Sequence, residues 1–255
     1  MALYAYAIAE SGLRTSLPPV EGVDPRRGLQ AVVSGSVAAV ASEVDVTDFE
    51  GEGLERNMAD PAWLESAVRA HERVVEALLD PGPVVPMRFG SIFSSLGALD
   101  AMLAGHAGQL TRLLDRVRGR QEWGVKVHVD MAAVARGLVS QGSEVTGGRA
   151  YLERRRAELH ASEQAAEAAT AVVRTVHEAL AGAAEDAALL RSRQAASRHP
   201  VAMNAAYLVA AAGRDRFMAV LEQLRHAHGP AYALELSGPW PGYSFTAVDV
   251  AGPRG

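Results

Sequence analysis

The stretch from Pro83 to Ser94, with the sequence PVVPMRFGSIFS, constrains the fold of this chain more than any other stretch. It places two prolines, one arginine and two phenylalanines between long helical segments, which is typical of a short buried strand that enters a tight turn. An arginine at the edge of such a strand needs an ionic or hydrogen-bonding partner if it is buried. We therefore expect Arg88 to pair with a helix acid such as Glu72 or Glu76, or alternatively to contact a partner chain.

Length and composition limit the class of protein. With 255 residues, of which 49% are hydrophobic, the chain can form one large or two ordinary globular domains. Its net charge of −5 gives no reason to expect a nucleic-acid partner, and the absence of cysteine excludes disulfide and thiolate chemistry. No stretch reaches the ~18 consecutive apolar residues that a membrane-spanning helix needs. Because the N-terminus also lacks the positive flank of a secretory signal, we expect a cytoplasmic protein.

The N-terminal half of the chain alternates predicted strands and helices. Leu3–Ile8 has the pattern of a short aromatic strand, and residues 29–41 form a predicted β-hairpin around a glycine turn. The Asp-Pro pair at 60–61 supplies a cap and a first-turn proline for a helix whose apolar stripe includes His71. A further helix is predicted over residues 96–118, so that the proline-rich stretch connects two helices.

The C-terminal half opens with the clearest strand pattern in the chain. Residues 123, 125, 127 and 129 are apolar and alternate with polar or small residues. A long alanine-rich helical run follows, and we expect part of it either to protrude or to pair with a second helix over 183–196, which gives a helical arm over about 148–196. A strand, a helix and a final strand are then predicted within residues 201–237.

These elements predict an α+β fold with two domains, residues 1–119 and 120–255. Each domain is expected to be a mainly antiparallel sheet that helices cover on one face. The order of strand, helical arm, strand, helix and strand makes the second domain ferredoxin-like, with the arm and a C-terminal tail as additions.

The residues form no recognisable catalytic, cofactor or metal site. His71 is expected to be packed on its apolar helix stripe, whereas His128 and Asp130 share a strand face that is expected to be solvated. The other six histidines show no ligand spacing, and no nucleophile elbow, phosphate loop or dinucleotide motif occurs. We therefore expect no cofactor, no metal and no enzymatic activity. The alternative, a small-molecule enzyme, would need a pocket in which His128, Asp130 or Arg88 converge.

Four stretches, taken in order, resemble the gas vesicle accessory proteins GvpF and GvpL. They are VVPMRFGSIF at 84–93, preceded by HERVV at 71–75, then EWGVKV at 122–127, GRAYL at 148–152, and LSGPWPGYSF at 236–245. The matching residues that we expect to be structural are His71, Pro86, Gly90, Trp123, Tyr151, Gly238, Pro239, Trp240 and Tyr243. A minor departure is Gly242, at a position where the family often has another proline.

The resemblance implies a non-enzymatic role in building gas vesicles, the gas-filled buoyancy organelles of prokaryotes. It implies binding of the hydrophobic shell protein GvpA and of other Gvp accessory proteins in the cytoplasm, at the growing vesicle. The alternative is a minor structural component that is retained in the vesicle wall. Candidate binding surfaces are an edge strand with Val85, Arg88 and Phe89, for strand addition, and the alanine-rich arm at 161–184, for helix packing.

Overall fold

The structure is a computed structural model in which residues 2–15, 17–80, 82–139, 150–191 and 201–246 are described. The chain divides into two compact units. The first unit contains the residues up to Gln121 together with those from Trp240 onward, and the second unit is Glu122–Pro239. The expected boundary after residue 119 lies close to this division. The C-terminal motif from Trp240 onward, however, belongs to the first unit and not to the second.

The first unit is built on a five-stranded sheet. Its strands are β1 (Ala2–Glu10), β2 (Leu29–Ser34), β3 (Val37–Val44), β4 (Val84–Pro86) and β5 (Ile92–Phe93). The strand order is β2-β3-β1-β4, and β4 and β5 pair with successive parts of β1. The predicted hairpin of β2 and β3 is confirmed, with Gly35 in its turn at a φ of 60°. β5 was not predicted, because two residues are too few to show a period.

Helices cover both faces of this sheet. They are α1 (Val46–Phe49), α2 (Gly51–Met58), α3 (Pro61–Ala77) and α4 (Leu96–Val117). Leu3, Ala5 and Ile8 pack with α4, whereas Tyr4 and Ala7 pack with α3, and a β-bulge between Ala5 and Ala7 explains the change of alternation. The expectation of one covered face is therefore wrong for this unit. The uninterrupted apolar run of β1 is typical of a strand that is buried on both faces.

Side-chain caps fix where the two long helices of the first unit begin. Asp60 Oδ1 accepts a hydrogen bond from Ala62 N–H at 3.0 Å, and Pro61 occupies the first helical position of α3. Ser95 Oγ accepts a hydrogen bond from Ala98 N–H at 3.1 Å at the start of α4. The predicted starts of both helices are confirmed, although only the cap of α3 was recognised in the sequence.

The second unit has a four-stranded sheet with the strand order β7-β8-β6-β9. Its elements are β6 (Arg120–Val129), α5 (Met131–Val139), α6 (Ala150–Ala181), β7 (Asp186–Leu189), β8 (Val201–Ala210), α7 (Arg214–His228) and β9 (Tyr232–Trp240). When α5 and α6 are counted as one connection, the element order is the β-α-β-β-α-β of a ferredoxin-like domain. The alternation in β6 is confirmed, because its apolar residues from Trp123 to Val129 are buried with Phe217 and Leu221 of α7.

The helical arm is shorter than predicted. α6 ends at Ala181 and residues 186–189 form β7, so the predicted second helix over 183–196 is wrong for its described part. Alanine favours a helix locally, but antiparallel pairing of β7 with β8 overrides that preference. The unpredicted α5 packs against α6, and Ala165 and Ala169 of α6 are buried in the core of the unit.

Candidate functional site

The hydroxyl group of Tyr4 joins three stretches that are far apart in sequence. Gly90 N–H donates a hydrogen bond to Tyr4 Oη at 3.1 Å, and the same oxygen lies 3.0 Å from Nδ1 of His71 on α3. Because Gly90 fills one acceptor site of the oxygen, the hydroxyl hydrogen is available to Nδ1, and a neutral His71 then carries its own hydrogen on Nε2. We refer to Tyr4, His71 and Gly90 as the Tyr4 network.

Burial keeps the Tyr4 network uncharged at neutral pH. His71 is 2% exposed, and burial lowers its pKa from the ordinary 6.5 to about 4, although the backbone of Met87 opposes the shift. His71 Nε2 has no hydrogen-bond partner of normal geometry among the described residues. Burial also raises the pKa of Tyr4 above its ordinary value, since desolvation outweighs the hydrogen bond from Gly90. The network therefore contributes order to the fold and no accessible acid or base.

An aromatic cluster surrounds the Tyr4 network; its members are Tyr4, Tyr6, Phe49, Trp63, His71 and Phe89. The ring centroids of Tyr4 and Tyr6 are 4.9 Å apart, and those of His71 and Phe89 are 6.0 Å apart in an edge-to-face arrangement. Val23 N–H donates to Tyr6 Oη at 2.8 Å, so the cluster also holds the loop before β2. Sequence reasoning missed both tyrosines. Their only signal was a spacing of two on a predicted strand, which places them on one face.

The turn after β4 presents Arg88 at the surface. Ser91 N–H and Ser91 Oγ both donate to the carbonyl oxygen of Arg88, at 3.1 and 2.7 Å. Gly90 has a φ of 81°, a left-handed conformation that a side chain would strain. Ala5 N–H of β1 donates to Ser91 C=O at 2.8 Å and ties the turn to the sheet. The Arg88 side chain is exposed, so burial does not force it to have a partner, and its pairing with Glu72 or Glu76 stays a prediction.

The other residues predicted to bind a partner divide between core and turn. Val85 is completely buried on the α4 side of the sheet, so its side chain is closed to a partner. Phe89 is half-buried, with its ring in the aromatic cluster. β4 spans three residues and ends at Pro86, which has no N–H to donate. A strand edge of this kind is poorly suited to the addition of another strand.

The C-terminal motif packs within the first unit from Trp240 onward. Thr246 Oγ1 and Phe245 N–H both donate to the carbonyl oxygen of Gly242, at 2.6 and 3.1 Å, and both donors belong to buried residues. A Cβ atom at Gly242 would lie 2.8 Å from Cγ1 of Val117. The Val117 side chain therefore occupies the space that a side chain at position 242 would need. Trp240 itself is 36% exposed.

The remaining motif residues have separate places in the fold. Tyr243 is half-buried in the first unit. In the second unit Trp123 is buried, and the guanidinium of an α7 arginine lies 5.7 Å from its ring centroid. The Gly238–Pro239 peptide bond is cis, and Gly238 has a φ of 111°. Tyr151 belongs to α6, but its side chain lies outside the described residues.

The other candidate residues, His128 and Asp130, lie in the second unit. His128 Nε2 lies 3.2 Å from Oε2 of Glu235, and Lys126 Nζ lies 3.8 Å from Oε1 of the same carboxylate. Because all three side chains are partly exposed, each pair contributes about 0–1 kcal/mol to stability. Asp130 Oδ1 accepts a hydrogen bond from Ala133 N–H at 2.9 Å and so caps the start of α5. This arrangement is typical of a surface ion pair beside a helix cap.

The part of the chain that the structure describes contains neither a metal-binding cluster nor a membrane-spanning helix. No three His, Cys, Asp or Glu side chains in it are grouped so that they could hold a metal ion. No helix in the same residues is long and apolar enough to cross a membrane. Among the motif residues, His71, Pro86 and Trp123 are buried, whereas Gly90, Gly238, Pro239 and Trp240 are exposed.

Comparison with known proteins identifies relatives that match most of the chain. The family profile described as "Gas vesicle synthesis protein GvpL/GvpF" matches residues 2–247. The chain is 31% identical to gas vesicle protein L of Streptomyces sp. (strain CB03234), over 89% of this chain and 85% of that protein. It is 29% identical to gas vesicle protein F of the same strain, over 96% and 99% of the two chains.

Solved structures show the same fold. GvpF from Anabaena sp. PCC7120 matches with a TM-score of 0.69 at 17% identity, over 97% of this chain and 96% of that chain. GvpF from Microcystis aeruginosa matches with a TM-score of 0.69 at 15% identity, over 97% and 99%. The α+β class and the resemblance seen in the sequence are confirmed. The chain belongs to the GvpL/GvpF family of gas vesicle synthesis proteins, which take part in gas vesicle formation.

Proposed function

We propose that this protein acts without catalysis in gas vesicle assembly, where it binds the hydrophobic shell protein GvpA and other Gvp accessory proteins. The observation that carries the proposal is the family match, which spans both units of the chain. A shell subunit with exposed apolar strands and helices aggregates until it is assembled. A protein that covers those surfaces needs no reactive group, and the buried, uncharged Tyr4 network is compatible with such a role.

The turn after β4 is the contact point that we propose in the first unit. It combines the exposed cation of Arg88 with the half-buried ring of Phe89. Arginine and aromatic side chains often carry most of the binding energy at protein interfaces. Because the Tyr4 network and the Ser91 hydrogen bonds already order this turn, a partner loses little conformational entropy by binding there. Val85 supports the turn from the core and does not itself contact the partner.

Co-expression with GvpA tests this function. We expect the soluble fraction of GvpA to rise when the wild-type protein is present, and to rise much less with the Arg88→Glu variant. Arg73→Glu changes an exposed arginine on α3 of the same unit and is the matched control, which should behave as wild type. GvpA solubility that does not depend on this protein would contradict the proposed function. Equal solubility with wild type and Arg88→Glu would remove only the proposed contact point.

The location of the protein after assembly separates a transient binding role from a role in the wall. Intact vesicles are washed and then probed for this chain with an antibody. An assembly factor that binds transiently is absent from such vesicles. Detection at a constant ratio to GvpA would instead assign the protein to the wall as a minor structural component.

A further inference from the structure

The strand β7 forms an open edge of the sheet in the second unit. It pairs with β8 on one side, and no described strand pairs with it on the other side. Leu189 at its end is 67% exposed, and the adjoining Leu190 is 37% exposed. With Val173 of α6 and Met203 of β8 they border a mainly apolar cavity of about 470 Å³. Adjacent exposed leucines on an open strand edge indicate an interaction surface.

Backbone hydrogen bonds show which groups of β7 point away from β8. Leu190 N–H donates to Asn204 C=O at 2.8 Å. Since successive residues of an antiparallel strand alternate, the N–H and C=O groups of Leu189 and Ala187 point toward the open edge. Ala187 N–H accordingly donates to the side chain of its own neighbour, Asp186 Oδ1, at 2.8 Å. β7 contains no lysine or proline, the residues that natural edge strands often use to prevent pairing.

We propose that a second copy of this chain pairs with β7 through this edge, antiparallel and about a two-fold axis at Ala188. In this register Ala187 of each copy lies opposite Leu189 of the other copy, and the two residues exchange both backbone hydrogen bonds. Each exposed Leu189 side chain then packs beside a small alanine. The Asp186 carboxylate rotates away from Ala187 N–H, and the hydrogen bond between the copies replaces the local one.

Charge favours a second copy as the occupant of this edge. Glu185 and Asp186 stand at the start of the strand, whereas Arg191 follows its end and is exposed. Antiparallel self-pairing brings the acidic end of each strand beside Arg191 of the other copy, so that opposite charges meet at both ends. In the same register, Ala187 of each copy meets Leu189 of the other, so the apolar residues between the charged ends also match. The seven residues 185–191 therefore carry a charge pattern that is complementary to the same residues of a second copy.

Cross-linking through one introduced cysteine tests the register directly, because the chain contains no cysteine. Ala188→Cys places two cysteines opposite each other in a non-hydrogen-bonded pair, with Cα atoms ~4.5 Å apart, a separation that suits a disulfide. Ala233→Cys, an exposed position on β9 at the opposite edge of the sheet, is the matched control. Under a mild oxidant we expect a covalent dimer of the Ala188→Cys variant and only collision background for the control. No dimer of Ala188→Cys, or equal dimer for both, would overturn the proposal.

Sedimentation equilibrium supplies a test that does not depend on cysteine. Wild type should show a monomer–dimer equilibrium, and Leu189→Lys should weaken it by about tenfold or more, since a lysine on the edge opposes pairing. Arg191→Glu should also weaken the dimer, and the charge-swapped pair Glu185→Arg with Arg191→Glu should restore it. A wild type that stays monomeric, or an unchanged dimer in the Arg191→Glu variant, would refute self-pairing. Monomeric wild type with loss of GvpA capture in Leu189→Lys would also refute it, and would assign the edge to a different protein.

Discussion

Acidification should destabilise the first unit through His71, and burial of the ring sets the size of the effect. Its pKa is about 4 in the folded chain, against an ordinary value of 6.5. Because the unfolded chain binds the proton more readily, the free energy of unfolding falls as the pH drops below about 6.5 and levels off below about 4. The difference between these pKa values, at ~1.36 kcal/mol per pKa unit, gives a loss of about 3 kcal/mol.

Urea unfolding across this pH interval measures the loss. Trp63 lies in the aromatic cluster, 5.5 Å from the Phe49 ring between centroids, so its fluorescence reports on the first unit when the other two tryptophans are replaced by phenylalanine. His71→Gln removes the titrating group and leaves an amide near the Tyr4 hydroxyl. The difference in unfolding free energy between wild type and this variant isolates the contribution of His71.

The wild-type protein should lose stability toward acid more steeply than the His71→Gln variant, by about 3 kcal/mol over the whole interval. His226→Gln, which changes an exposed histidine of the second unit, is the control and should follow wild type. If the difference between wild type and His71→Gln stays constant across the interval, burial does not hold His71 neutral and the reasoning is refuted.

Three further substitutions test individual contacts. Tyr4→Phe removes the acceptor for Gly90 and the partner of His71, and urea unfolding should show a loss of about 2 kcal/mol or more; a loss near zero would contradict the network. Gly242→Ala should lower the melting temperature because its Cβ meets Val117, and adding Val117→Ala should recover part of the loss; no recovery would contradict the contact. Arg88→Glu should change the free energy of unfolding by less than about 1 kcal/mol, since the side chain is exposed; collapse of the fold, seen by circular dichroism, would contradict its surface placement.

Local signals in the sequence predicted much of the fold. The hairpin of β2 and β3, the cap of α3, and the alternation in β6 each depend on residues that are close together in the chain. β7 was predicted as a helix because alanine-rich segments favour helices, and only its pairing with β8 makes it a strand. Tertiary pairing of this kind leaves no periodic signal in four residues.

The Tyr4 network shows why the candidate site was harder to predict than the fold. Tyr4 lies 67 residues from His71 and 86 residues from Gly90, so no spacing rule connects them. For Arg88, which follows an apolar strand, the sequence did not decide between a buried and an exposed side chain. Arg88 is exposed in the turn that Gly90, in a left-handed conformation, and Ser91 close, a geometry that depends on backbone conformation more than on residue type.

Aggregation of purified GvpA in the presence of increasing amounts of this protein measures the proposed binding most directly. GvpA is diluted out of denaturant, and light scattering follows its aggregation, with an unrelated globular protein of similar size as the control. We expect scattering to fall with the amount of this protein and to saturate at a fixed ratio to GvpA. Scattering that is unchanged at molar excess, or that falls equally with the unrelated protein, would contradict a role in holding the shell protein for assembly.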